Sequence, residues 1–252
     1  MYKWTFEIKS PTGNYMRELS AIPDSDIWIA EEADDLSHWF SFSSVHLNQL
    51  NDPDKVYEHA MKLKMLVDGI SFLIHENKNA YRPIELGNLY DEHNKVTQFN
   101  QNIENHKFDF SFKTTDVNEY YKSNPVSHLL HLAGDQTFVL NVLIMCSRGM
   151  DFTSLYQILD EVKNFLKGKI NLDTLDIDQK ELKRFTHTAN NFEALGIDSR
   201  HGNLGHEAPK DPMALQDAQR LITHLLSIVV KNFYGIILPV VKDIKVDADD
   251  LF

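Results

Sequence analysis

Between two strongly amphipathic stretches the chain reads Ser199-Arg200-His201-Gly202-Asn203-Leu204-Gly205-His206-Glu207-Ala208-Pro209-Lys210-Asp211-Pro212-Met213. A plain helix–helix turn needs about two to eight residues and no such concentration of arginine, histidine and glycine. A guanidinium offers a planar fork that matches phosphate oxygens, and imidazole moves protons near neutral pH. Two glycines let the backbone approach a ligand closely or adopt positive φ. Together these residue types suit chemistry on a phosphodiester. The plainer alternative is that Arg200 and His206 cap helix ends and pair with Asp198 or Glu207.

The flanking elements must hold this segment in place. Upstream, Asp178-Gln179-Lys180-Glu181 reads as an aspartate version of a capping box. Leu182, Phe185, Ala189 and Phe192 then share a helical face, and Gly196 occupies a C′ position. Downstream, the spacing of Leu215, Ala218, Ile222, Leu225, Val229 and Phe233 predicts a helix from about residue 212 to 234, with Asp211-Pro212 as its cap in place of Ala214. Two further helices are expected before these. One is capped by Ser127 and runs through Leu130, Ala133, Val139, Leu143 and Cys146 to a stop near Gly149; the other opens at Asp151 and ends before Gly168. Four amphipathic helices with short connections make an antiparallel bundle.

The hydrophobic period is different before about residue 115. Tyr2, Trp4, Phe6 and Ile8 alternate with Lys3, Thr5, Glu7 and Lys9, which is the pattern of a half-buried strand. Runs at Ile27–Ile29 and Trp39–Val45, and the alternation Phe108, Phe110, Phe112, predict further strands. Between them Asp52-Pro53 starts a helix whose apolar positions run from Val56 through Ile74. Trp4, Trp28 and Trp39 are read as core, because too little Lys or Arg is interleaved for a base-stacking platform. The fold class expected is α+β. Residues 1–114 form a small sheet-plus-helix unit, 115–235 a helical bundle, and 236–252 an extension with a frayed acidic tail.

Here a family resemblance becomes specific. Arg200, five intervening residues and His206 match the R-x4–6-H motif of the HEPN superfamily, and His201 fills the polar position that commonly follows the arginine. The order Ala189-Asn190, Arg200-His201-Gly202, Pro209-Lys210-Asp211-Pro212-Met213 and a closing amphipathic helix resembles a bacterial HEPN-like group. Leu155-Tyr156-Gln157-Ile158-Leu159 is similar to that group's second helix. The resemblance covers roughly residues 115–235. Two positions depart from it: Ala214 stands where a capping Ser is frequent, and Ala208 where toxins modified by a partner nucleotidyltransferase often carry Tyr.

The resemblance implies a HEPN-like bundle in which two protomers bring their motifs to one cleft and cut single-stranded RNA without a metal. His206 would act as general acid–base, Arg200 would stabilise charge on the phosphorane oxygens, and His201 would orient the motif or share proton transfer. Asn190, Asn203 and Lys210 would contact substrate. The other expectation from the same resemblance is a non-catalytic dimerisation or nucleotide-binding module, with the α+β half as sensor or dock for a regulatory partner.

Bulk properties narrow the field only slightly. A net charge of −12 argues against a broad basic surface for unspecific nucleic-acid binding. The single cysteine, Cys146, rules out an internal disulfide framework and fits a reducing compartment. The start MYKWTFEIKS has no apolar region behind a basic one, so no signal peptide is expected. The longest apolar run, Phe138 to Cys146, is too short to span a bilayer. A cytoplasmic protein with no membrane contact is therefore expected. No His-Glu-x-x-His occurs, so no metal and no cofactor are expected.

Overall fold

The computed structural model describes residues 2–10, 16, 19, 26–33, 38–76, 81–93, 95–99, 124–148, 151–200, 202 and 207–239. The expected Phe108–Phe112 strand, the stop at Gly149 and the acidic tail lie outside these residues. The N-terminal part is an antiparallel sheet of β1 (Trp4–Ser10), β2 (Ile27–Ala33), β3 (His38–Ser44), β4 (Glu85–Asp91) and β5 (Val96–Thr97), in the order β2-β3-β1-β4-β5. One long helix, α1 (Pro53–Ile74), connects β3 to the β4 hairpin. The rest is helical: α2 (Pro125–Asp135), α3 (Thr137–Cys146), α4 (Phe152–Leu166), α5 (Gln179–Ala189), the short α6 (Phe192–Leu195) and α7 (Leu215–Tyr234). The α+β class read from the change of period holds.

Alternation in β1 has the expected effect. Phe6 faces Phe42 of β3 and Leu89 of β4, while Ile8 faces Phe40 and Leu86, and all six residues are buried. This inner face lies against α1. The outer face corrects the core reading of the tryptophans. Trp4 is buried, but Trp28 and Trp39 are 39% and 36% exposed. Their register explains why: Trp28 pairs with Ser43, and Trp39 with Glu32, on the side that points away from α1. Trp39 and Tyr90 approach across β1 with ring centroids 6.5 Å apart, and Ser41 and Ser43 are buried on the same face. The hydroxyls there are satisfied locally, Thr5 Oγ1 with Ser43 Oγ at 3.0 Å and Ser41 Oγ donating to Glu32 at 3.2 Å.

Helix α1 begins as expected, with the Asp52 carboxylate accepting from Asp54 N at 3.0 Å and proline in the first turn. Its second half departs from a simple apolar stripe, since every residue from Lys62 to Ile74 is buried. The cause is that α1 has the sheet on one side and α2 and α3 on the other. Charges inside such a helix need partners. Lys64 Nζ meets Asp68 Oδ2 at 2.5 Å, Asp68 Oδ1 accepts from Ile84 N at 2.8 Å, and Tyr81 Oη donates to the Asp68 carbonyl at 3.1 Å. One aspartate thus ties the chain entering β4 to the middle of α1. Burial pushes its carboxyl above the usual range, against the pull of Lys64 and of the Ile84 N–H.

The bundle is built outward from α1 through α3, α4 and α7, with α5 against both α4 and α7. Helices α2 and α3 replace the single expected helix and meet at an angle of 117°. The break is at Gln136, whose backbone is extended, and the first helix is capped by Asn124 ahead of Pro125 rather than by Ser127, which is buried. Helix α7 starts at Leu215 instead of 212, because Asp211 is engaged elsewhere, and it ends on Gly235 in the left-handed region. Phe138, Phe165 and Phe233 join α3, α4 and α7 through rings 3.9 and 5.0 Å apart. No single described helix is long and apolar enough to cross a membrane.

Two measurements test this core. A Cβ at Gly69 would overlap the Leu143 carbonyl oxygen and lie 2.7 Å from its carbon. Backbone cannot swing aside as a side chain can, so Gly69→Ala is expected to cost at least the ~1–3 kcal/mol of ordinary overpacking in urea unfolding. Lys64→Met leaves Asp68 buried without its counter-ion, which is expected to cost about 3–5 kcal/mol at neutral pH. A carboxyl whose folded value is raised favours folding when protonated and loses that contribution as pH rises. The Lys64→Met deficit should therefore shrink as pH falls toward the ordinary aspartate value of about 4.

Candidate functional site

Helix α5 sets one wall of the site. Asp178 caps it, accepting from Lys180 N at 2.8 Å and Glu181 N at 3.3 Å. The reciprocal half of a capping box is replaced by an ion pair from Glu181 to Arg184 at 3.1 Å. The helix ends at Ala189, with Asn190 as C-cap, and Gly196 terminates the separate turn α6, whose cap is Asn191. After that turn the chain comes back. Arg200 N donates to the Ala189 carbonyl at 2.8 Å, so a carbonyl left over at the helix end fixes the height of Arg200.

The Arg200 side chain crosses to α4. Its guanidinium carbon sits 4.2 Å from the centroid of the Tyr156 ring, and one Nη2 meets Asp160 Oδ2 at 3.2 Å. Tyr156 and Asp160 are four residues apart and so share a helical face. The plainer alternative pairs Arg200 with Asp198 or Glu207; among the described residues its partners are instead on α4, which presents a ring and a carboxylate at the right height. The pair is open to solvent, with side chains 38% and 41% exposed. Asp160 occupies one corner of the fork, and among the described residues no other side chain accepts from the guanidinium N–H groups, a geometry suited to an anion.

Beside this clamp lies an open groove of about 540 Å³, lined by Tyr156 and Lys163 from α4, by Thr186, His187 and Asn190 from α5, and by Asn191, Glu207 and Pro209. Lys163 Nζ is 5.6 Å from the Tyr156 centroid, so this ring has a cation from each of two elements near it. Asn190 Nδ2 donates to the Thr186 carbonyl at 2.9 Å, which fixes the amide and leaves its Oδ1 buried with no hydrogen-bond partner among the described residues. Asn191 is engaged at both ends of its amide, donating to the Glu207 carbonyl and accepting from Ala194 N. A second cavity, between sheet and helices, is only about 20 Å³ and is lined by Leu, Ile and Val, so it has no polar group to orient a ligand.

The segment before α7 is stapled to α5. Arg184 grips Asp211 through Nε to Oδ2 at 3.0 Å and Nη2 to Oδ1 at 3.2 Å, and donates to the Pro212 carbonyl. Met213 N donates to Thr188 Oγ1 at 2.9 Å in a buried position. Of the expected site residues, Arg200 and Asn190 reach the groove or its rim. Lys210 does not: Pro209 lines the groove, but Arg184 draws the next turn onto α5 and Lys210 is left exposed. His201, Asn203 and His206 lie outside the described residues. Tyr156, Lys163, His187 and Glu207 were not assigned to the site from sequence. A signal existed for two of them, since Asp160 and Lys163, and likewise His187 and Asn190, stand at helical spacing on faces that a simple bundle leaves polar, whereas Tyr156 is a buried member of the core.

No protein-family model, curated protein or solved structure matches this chain. The function must therefore be argued from the groove and from the residues around Arg200. Among the described residues no group of three or more His, Cys, Asp or Glu is placed to hold a metal ion.

The staple can be tested without any activity. Thr188→Val removes the acceptor of a buried N–H while keeping side-chain volume. The expected cost is about 1–3 kcal/mol in denaturant unfolding, with faster amide exchange at Met213. Exchange at Met213 as slow as in the unaltered protein would contradict the assignment.

Proposed function

We propose that the C-terminal helical region is a metal-independent endoribonuclease of HEPN type that cuts single-stranded RNA, working as a homodimer in a defence or stress response. The observation that carries this reading is the setting of Arg200: fixed by backbone to the end of α5, clamped by Tyr156 and Asp160, and facing a groove with Lys163, His187 and Asn190. The ordered pattern from Ala189-Asn190 to Met213 supports it independently.

In this reaction the ribose 2′-oxygen attacks the adjacent phosphorus and the 5′-oxygen departs, giving a 2′,3′-cyclic phosphate and a 5′-hydroxyl. His206 takes the proton of the attacking hydroxyl, with His201 orienting the motif. Arg200 holds the equatorial oxygens as negative charge builds, a contribution that grows from ground state to transition state. Lys163 adds a second positive charge from α4. The same reading assigns Asn203 and Lys210 contacts with the RNA strand.

The Arg200–Asp160 ion pair favours a second reading, a non-catalytic module in which the arginine is structural. The two separate in one assay. Purified protein is incubated with single-stranded RNAs of varied sequence in EDTA. Cleavage is expected, falling by about 10²-fold or more in both His206→Ala and Arg200→Ala with the circular dichroism spectrum retained. A wild-type protein that leaves every RNA intact would establish the module instead.

A further inference from the structure

An in-line displacement at phosphorus puts the entering and leaving oxygens on opposite sides, so one imidazole cannot assist both. Resting on the ribonuclease reading, we propose that His187 is a catalytic residue of the same groove, the general acid that protonates the departing 5′-oxygen. It belongs to α5, in the last turn before Asn190, and faces the groove that Tyr156 and Lys163 wall from α4. Its imidazole is exposed, and among the described residues it has no hydrogen-bond or ion-pair partner. An exposed imidazole with no structural bond to keep is free to meet a substrate oxygen.

The charged groups around it are Lys163 from α4, the Arg200–Asp160 pair at the rim, and Glu207 from the segment before α7. A phosphate held by Arg200 and Lys163 on the α4 side presents its far side to α5. The proton balance closes without any co-reactant. The 2′-hydroxyl proton passes to the base of the ribonuclease reading, the bond from phosphorus to the 5′-oxygen breaks, and the proton on His187 moves to that oxygen. The pair is reset by proton exchange with water.

The test uses the full-length protein and two substrates, ordinary single-stranded RNA and the same RNA with sulfur replacing the 5′-bridging oxygen at the scissile bond. A thiolate leaves without needing a proton. His187→Gln is expected to lower kcat on ordinary RNA by about 10²–10⁴-fold with little change in KM. The variant should approach the wild-type rate on the sulfur substrate, and the limb of the pH–rate profile that reports the acid should disappear. His224→Gln, an exposed histidine on α7 outside the groove, should behave as wild type. If wild type cleaves and His187→Gln keeps its rate, or is equally slow on both substrates, the assignment of His187 is overturned and the ribonuclease reading stands. If wild type cleaves neither RNA, both fall.

Discussion

The close approach of two backbones in the middle of the molecule determines how its halves are joined. At Gly69 helix α1 has no side chain, and the Leu143 carbonyl of α3 fills that space. The sheet can then cover the opposite face of α1 while α2 and α3 cover this one, and the buried side chains of both halves form a single cluster. A helix enclosed in this way cannot shed polar groups to solvent. The Lys64–Asp68 pair and the hydrogen bonds from Tyr81 and Ile84 follow from that enclosure, and they carry the chain into β4. Helix α3 in turn supports α4, on which Tyr156 and Asp160 stand.

Much of this was legible as pattern. Strict alternation gave β1, Asp52-Pro53 gave the start of α1, and Asp151 and Asp178 gave the starts of α4 and α5. Strand β4 escaped notice because Gly87, Asn88 and Asp91 are poor strand formers, and it is held by pairing on both sides with β1 and β5. The bend at Gln136 follows Gly134-Asp135, a turn signal outweighed in the sequence by the apolar positions on either side of it. Trp28 and Trp39 were misread because period alone gives the two faces of a strand without saying which one is covered. Here α1 covers only one.

The site was legible in a different way. Arg200 was identified by type and order, yet its real partners on α4 are some 40 residues earlier in the chain, a distance over which no local rule operates. The structure also gives part of the ordered pattern a mechanical reason. Asp211, Pro212 and Met213 are the points at which Arg184 and Thr188 hold the chain to α5 before α7 begins. Packing accounts for that end of the pattern. It does not account for an exposed His187, for Lys163 beside Tyr156, or for the buried and unpartnered Asn190 oxygen, and these are the groups that give the groove its chemical character.

The bond from Arg200 N to the Ala189 carbonyl closes residues 189–200 into a ring of fixed circumference. Arginine has one of the largest rotamer entropies of any side chain, and a flexible one must be ordered each time an anion arrives. In this ring the backbone is already set, and the ring of Tyr156 confines the guanidinium to a plane. The ordering cost is met once, when the chain folds, and the cation is preorganised for any anion that meets it. It follows that the length of the α6 turn, rather than the identity of its side chains, sets the height of Arg200 relative to His187.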